Sequence, residues 1–157
     1  PVQTNCYFVT NIKTKEMIII DPGACAKQLA KKVDESGAKP VAILLTHGHF
    51  DHATDAKPLA DRYGIKIYIH EADKATLDDP QLNKSYYYYF PYEDVIFTGD
   101  SLFCGSIGRT DFKGGSMSDL VRTVKEKIMT LPEHTEVYPG HNDTTTIENE
   151  RMYNPYL

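Results

Sequence analysis

The sequence predicts an α/β fold of layered strands and helices. Short apolar runs bounded by turn residues alternate, through the first half of the chain, with segments whose apolar residues recur at helical spacing. Two of the runs, Ile18-Ile19-Ile20 and residues 41–45, are apolar at consecutive positions, as in strands covered on both faces. No repeat, low-complexity tract or linker-like stretch divides the 157 residues, so a single domain over 1–157 is expected.

The elements follow in order. Strands are expected at 6–10 and 17–20, joined by a polar turn at 11–16, and Asp21-Pro22-Gly23 stops the second. Ala26, Leu29, Ala30 and Val33 mark a helix that Gly37 and Pro40 end. A strand at 41–45 leads into Thr46-His47-Gly48-His49-Phe50-Asp51-His52. A second helix runs to about Tyr63 with Pro58 near its start, Gly64 closes it, and 65–69 is a further strand. A short helix is expected at 71–77. Strands at 86–90 and 95–97 flank a turn at 91–94. Met117, Leu120, Val121, Val124, Ile128 and Leu131 mark the clearest amphipathic helix, with Ser116 as its N-cap. Residues 136–138 form a last short strand before Pro139-Gly140-His141.

Composition removes several classes of function. Seventeen Lys and Arg stand against 22 Asp and Glu, a formal charge of −5, which disfavours both nucleic acid and anionic membrane surfaces as partners. No run approaches the roughly 20 apolar residues of a membrane span. The first residues show no basic region followed by an apolar stretch. Cys6, Cys25 and Cys104 are odd in number and form no CxxC pair, so a disulfide framework is not expected and a cytoplasmic location is.

The chemistry is concentrated at strand ends, where α/β sheets bind ligands. His47, His49, Asp51 and His52 fall within six residues directly after the strand at 41–45, in a chain with only six histidines. Imidazole and carboxylate together suit zinc, iron or manganese. So short a loop spreads the four groups, and two adjacent ions, each taking two of them, use them better than one. Asp100 follows the strand at 95–97 and His141 the strand at 136–138.

The pattern 46–52 resembles the HxHxDH signature of the metallo-β-lactamase superfamily. Asp21 in Ile19-Ile20-Asp21-Pro22-Gly23 is similar to its upstream aspartate, Thr98-Gly99-Asp100 to its metal-bridging aspartate, and Pro139-Gly140-His141 to its last histidine. Residues 103–111 and 150–157 resemble the small bacterial glyoxalase II-like hydrolases (hydroxyacylglutathione hydrolase-like) within that superfamily. The resemblance implies an αββα sandwich. It implies one ion on His47 and His49, a second on Asp51, His52 and His141, Asp100 bridging them, and Asp21 behind the ligands. It implies one or two zinc ions per chain, with iron or manganese as the other candidates, and a hydroxide between the ions as nucleophile. The function implied is a hydrolase of a thioester or related small acyl compound, with Asp51 and Asp100 at the catalytic centre and Arg109 assisting an anionic substrate.

One ligand of that family has no counterpart. The histidine of a Gly-His-Thr-x-Gly-Ser-like stretch is missing, and His70 is the only histidine between His52 and Asp100. His134 lies in a polar connection and is expected to be solvated. Several dozen residues, strands among them, are expected to be absent between Ser85 and Tyr86. Such a loss uncovers sheet edges, so a homo-oligomer is expected, with pairing or exchange of halves between chains near 82–92. The alternative function is a non-catalytic, metal-binding oligomeric remnant of the fold.

Overall fold

The computed structural model describes residues 3–77, 85–111 and 115–157. They fall into two compact units, residues 1–78 and 79–157.

The first unit is a four-stranded sheet with helices on it. Strands β1 (Tyr7–Thr10) and β2 (Glu16–Ile20) form an antiparallel hairpin with Tyr7 opposite Ile20. Helix α1 (Ala26–Ser36) ends at Gly37, whose φ of 66° an L side chain adopts only with strain. Strand β3 (Lys39–Leu45) then runs parallel to β2. Pro40 does not end the helix; it lies inside β3 opposite Met17. The helix expected up to Tyr63, with Pro58 near its start, is α3 (Ala56–Tyr63), and a one-turn helix, α2 (Phe50–Ala53), precedes it. Pro58 has no N–H to offer the Thr54 carbonyl, and the helix breaks at that missing bond. Strand β4 (Lys66–Ile69) is parallel to β3, and a 3-10 helix follows at Glu71–Leu77. Sheet periodicity puts Met17, Ile19, Ile43 and Leu45 on one face, where they are buried with Ala30 and Val33 of α1 and Ala56, Leu59 and Ala60 of α3. Burial of each large aliphatic side chain in such a cluster contributes about 1.5–3 kcal/mol.

The second unit is built on another four-stranded sheet. Strands β5 (Tyr88–Phe90) and β6 (Val95–Gly99) are antiparallel. A small hairpin follows, β7 (Leu102–Phe103) with β8 (Ser106–Ile107). Helix α4 (Met117–Thr123) is capped by Ser116, whose Oγ accepts the Asp119 N–H at 3.3 Å, and it continues through a wide π-helical turn at Val124–Ile128. Strand β9 (Glu136–Pro139) is parallel to β6, and β10 (Thr145–Thr146) leads into α5 (Ile147–Tyr153). Ile96, Leu102, Ile107, Val124, Ile128, Val137 and Ile147 form its core. The β7–β8 hairpin, β10 and α5 have no counterpart among the elements expected from sequence. Two-residue strands carry no legible period, and the apolar residues of α5 are too few for a stripe.

Residues 82–84 of the segment expected to mediate assembly lie outside the described residues. Tyr86 and Tyr87 precede β5, which starts two residues later than expected. Among the described residues, no helix is long and apolar enough to cross a membrane.

Candidate metal centre

In the first unit the site grows from the ends of β2 and β3. Asp21 follows β2 directly with φ of 49°, a left-handed conformation that Asp tolerates better than most residues. Its backbone N–H donates to the Leu44 carbonyl at 3.1 Å, which pins it to the neighbouring strand. Its side chain is buried and accepts three hydrogen bonds: Thr46 N–H at 2.8 Å, Thr46 Oγ1 at 2.6 Å and His52 Nδ1 at 3.0 Å. A carboxylate is acceptor-only, so Nδ1 of His52 carries the proton and Nε2 presents its lone pair. That Nε2 lies 3.6 Å from Asp51 Oδ2. A carboxylate behind the imidazole is the arrangement that orients metal-bound histidines and fixes their tautomer. Thr46 Oγ1, having donated to Asp21, lies 3.1 Å from Nδ1 of the buried His47.

The loop after β3 aims the other groups. His49 is extended (φ −62°, ψ 147°) and ends the loop, and its carbonyl accepts both the His52 and the Ala53 N–H at 3.0 Å. The one-turn helix α2 thereby places Asp51 and His52 side by side. Thr4 Oγ1 donates to Asp51 Oδ2 at 2.9 Å. The His47 ring centroid is 4.5 Å from that of His49 and 4.1 Å from that of His52. Ligand-capable atoms of His47 and His49 lie within 4.8 Å of each other, and so do those of Asp51 and His52. Imidazole pairs and an imidazole–carboxylate pair fit zinc, iron or manganese.

Gly23 is required by this packing. A Cβ there would lie 1.5 Å from the Asp51 carbonyl oxygen. Gly23→Ala is expected to destabilise the protein by about 3 kcal/mol, because backbone must move rather than a flexible side chain. Urea denaturation checks this; a loss under about 0.5 kcal/mol would show that the loop is free to shift.

In the second unit, β6 and β9 are parallel neighbours, so their ends lie together. The Gly140 N–H donates to the Gly99 carbonyl at 2.9 Å, one residue from both Asp100 and His141. His141 Nε2 is 3.5 Å from Asp100 Oδ1, and the Phe103 ring meets the His141 ring edge-on at 5.8 Å. Gly108 is again a close approach: a Cβ would lie 1.8 Å from the Asp100 carbonyl oxygen. A cavity of about 620 Å³ is bounded by Asp100, Ser85, Tyr87, Arg109, Leu120 and Ile128, among others.

Several polar residues take different settings. Arg109 forms two hydrogen bonds with Asp111, at 3.0 and 2.7 Å, and holds that exposed carboxyl below its usual range. His134 is exposed, as expected, and lies 2.9 Å from Asp94 Oδ2. His70 is exposed, and its Nδ1 accepts the Ala72 N–H at 3.2 Å. Burial and the nearby Asp21 push the Cys6 thiol up to about 12, so it stays neutral and is a poor metal ligand. Sequence reasoning assigned nothing to Thr4 or to the Thr46 side chain. A lone threonine ahead of the first strand carries no pattern, whereas Thr46 stood inside the motif.

Residues 1–88 match the model of the family described as the metallo-beta-lactamase superfamily. The probable metallo-hydrolase YqgX of Bacillus subtilis is 32% identical, over 100% of this chain and 93% of its own length. The hydroxyacylglutathione hydrolase GloC of Haemophilus influenzae is 30% identical, over 99% and 93%. Among solved structures, the B3 metallo-beta-lactamase BLEG-1 superposes with a TM-score of 0.94 at 34% identity, over 100% of this chain and 95% of that one. TTHA1623 in a di-iron-bound form gives 0.87 at 29%, over 100% and 96%. The chain belongs to the metallo-β-lactamase superfamily, a metal-binding family, and has its α/β fold. The comparison with YqgX spans 199 positions against 157 residues here, so at least 42 of them have no residue of this chain opposite. That is the scale of shortening expected from the sequence.

Proposed function

We propose that this chain is a metal-dependent hydrolase of thioesters or related small acyl compounds. The observation that carries the reading is the buried Asp21 carboxylate behind His52, which makes Nε2 of that ring a preformed ligand. The name and 30% identity of GloC support the substrate class. His47 and His49 would hold one ion, and Asp51, His52 and His141 the second, with Asp100 shared. This set draws on both units, and the superfamily's pattern is what joins them. Bound there, zinc or iron would supply a Lewis acid for the acyl carbonyl and lower the pKa of the attacking water.

The chain's own residues have separable tasks. Thr4 and Asp21 hold Asp51 and His52 in place by hydrogen bonds. The cavity beside Asp100 would take the acyl group against Leu120, Ile128 and Tyr87. Arg109 stands at that cavity and would meet an anionic end of the substrate by exchanging its bond to the exposed Asp111. A homo-oligomer in which the two units of one chain complete those of another would supply the same ligand set. The 42 or more positions that YqgX has beyond this chain support this: strands are expected among them, and a strand removed from a sheet leaves backbone groups to be paired.

The deciding experiment measures three things on one preparation: metal per chain, turnover of a panel of acyl thioesters, and mass by light scattering. One to two metals per chain, thioester turnover and a mass of two chains or more are expected. Metal without turnover on any acyl substrate would favour the alternative, a non-catalytic metal-binding remnant that has lost the third histidine of its first site. A stable, fully metal-loaded monomer would remove the exchange of units.

A further inference from the structure

Glu150, on α5, is fully buried and collects hydrogen bonds on both carboxylate oxygens. Its Oε1 accepts from Thr145 Oγ1 at 2.7 Å, Asn149 Nδ2 at 3.1 Å and the Gly105 N–H at 3.2 Å. Its Oε2 accepts from Asn154 Nδ2 at 2.7 Å and from the same Gly105 N–H at 3.0 Å. Asn154 Nδ2 also donates to the Ser106 carbonyl at 3.1 Å. Every partner of the carboxylate is a donor, so the side chain serves only as an acceptor.

Cys104 and Gly105 form the tip of the β7–β8 hairpin, where Gly105 has φ of 66°, and Ser106 opens β8. The same hairpin touches both chemical groups of its unit. Phe103, on β7, lies edge-on against the His141 ring. Gly108, directly after β8, packs on the Asp100 carbonyl with no room for a Cβ. Leu102 O, at the start of β7, accepts from Thr98 Oγ1 at 2.8 Å, two residues before Asp100. The hairpin is only two residues per strand, too short to hold its own position. What fixes its tip is the carboxylate.

We propose that Glu150 is a positioning residue for metal binding: by holding the tip of the β7–β8 hairpin, it sets the orientation of His141 and Asp100. The inference rests on the reading of those two residues as ligands. Glutamine at 150 is isosteric but has one acceptor oxygen in place of two, so the Gly105 N–H keeps only one of its two acceptors and the NH₂ faces Asn154 Nδ2 or Asn149 Nδ2, donor against donor. The hairpin's anchor is thereby weakened and loses its charge, while the helix keeps its side chain volume.

The test compares Glu150→Gln with Thr146→Ala. Thr146 caps the same helix, its Oγ1 accepting the Asn149 N–H at 3.2 Å, and it makes no hydrogen bond to the hairpin. Affinity for Co²⁺ is measured by chelator competition, together with the visible absorption of the cobalt protein and the melting temperature without metal. Glu150→Gln is expected to weaken binding about tenfold and to change the cobalt bands, in the range of losses for groups that orient ligands. Thr146→Ala is expected to lower the melting temperature and leave affinity and spectrum as in the wild type. Wild-type affinity and bands in Glu150→Gln, or losses in both variants that simply follow their melting temperatures, would overturn the proposal. If Glu150→Gln does not fold, Asn154→Ala, which removes one donor to Glu150 and the bond to Ser106, is expected to show the same spectral change with a smaller loss. Unchanged bands there would overturn it equally. Asp100→Ala separates the two readings. If it leaves cobalt binding untouched, the ligand assignment fails and the positioning role with it. If it weakens binding while Glu150→Gln does not, only the positioning role fails.

Discussion

Asp100→Asn is expected to reduce thioester turnover by more than about 100-fold, beyond the upper end of losses seen when a residue behind a ligand is removed. The carboxylate offers two anionic oxygens, whereas the amide offers one neutral acceptor and a pair of donors. The fold should stay in place, because what anchors this residue is backbone. The Asp100 N–H donates to Ser85 Oγ at 3.1 Å, and the Asp100 carbonyl is the surface on which Gly108 packs. Neither contact involves the side chain, and Asn has nearly the same volume. Steady-state kinetics with a thermal melt of the same sample checks both halves. Wild-type turnover would reduce Asp100 to a turn residue after Gly99.

His52→Ala should lose metal where His134→Ala does not, with affinity lowered by about 100-fold or more. His52 is fully buried, and its removal takes away a ligand and also strips Asp21 of one donor. Asp21 keeps its two bonds from Thr46 and loses one hydrogen bond, worth about 0.5–1.5 kcal/mol, so the variant should also melt earlier. His134 is 71% exposed and paired to Asp94, and such surface pairs are worth at most about 1 kcal/mol. Elemental analysis after exhaustive dialysis gives the answer, and equal metal retention in the two variants would remove His52 from the site.

The sequence is legible where local chemistry alone decides the outcome. The two αL closures at Gly37 and Gly64, the Ser116 cap and the alternation that buries Met17 with Ile19 follow from residue types over a few positions. The 47–52 loop is legible for the same reason: four ligand-type residues are adjacent in the chain before folding brings anything together. What escapes is fixed by partners distant in sequence. Glu150 reaches Gly105 across 45 positions, and Thr4 reaches Asp51 across 47. The break between α2 and α3 also escapes, although Pro58 pointed to it. Asp55, which sits in that break, donates its N–H to the Pro22 carbonyl and accepts the Ala26 N–H on Oδ2 at 2.7 Å. It therefore caps α1, whose own N-cap residue, Cys25, makes no side-chain bond. A cap supplied from 29 positions away has no local signature.

Among the described residues, the last side chain packed on the first unit's cluster is Ile69, and the first packed on the second unit's is Tyr87. Each cluster is thus built from residues on its own side of the stretch at which the chain is expected to be shortened. The expected consequence is an unpaired sheet edge and a change in loop closure, which varies only with the logarithm of length, rather than a cavity of several kcal/mol. A gene can therefore shed codons there and still encode a chain that folds. The proposed reaction has no such latitude, because its ligands stand at strand ends on both sides of that boundary. Inheritance can thus act on shape and on chemistry separately in this molecule, with length changes filtered by the second long before they trouble the first.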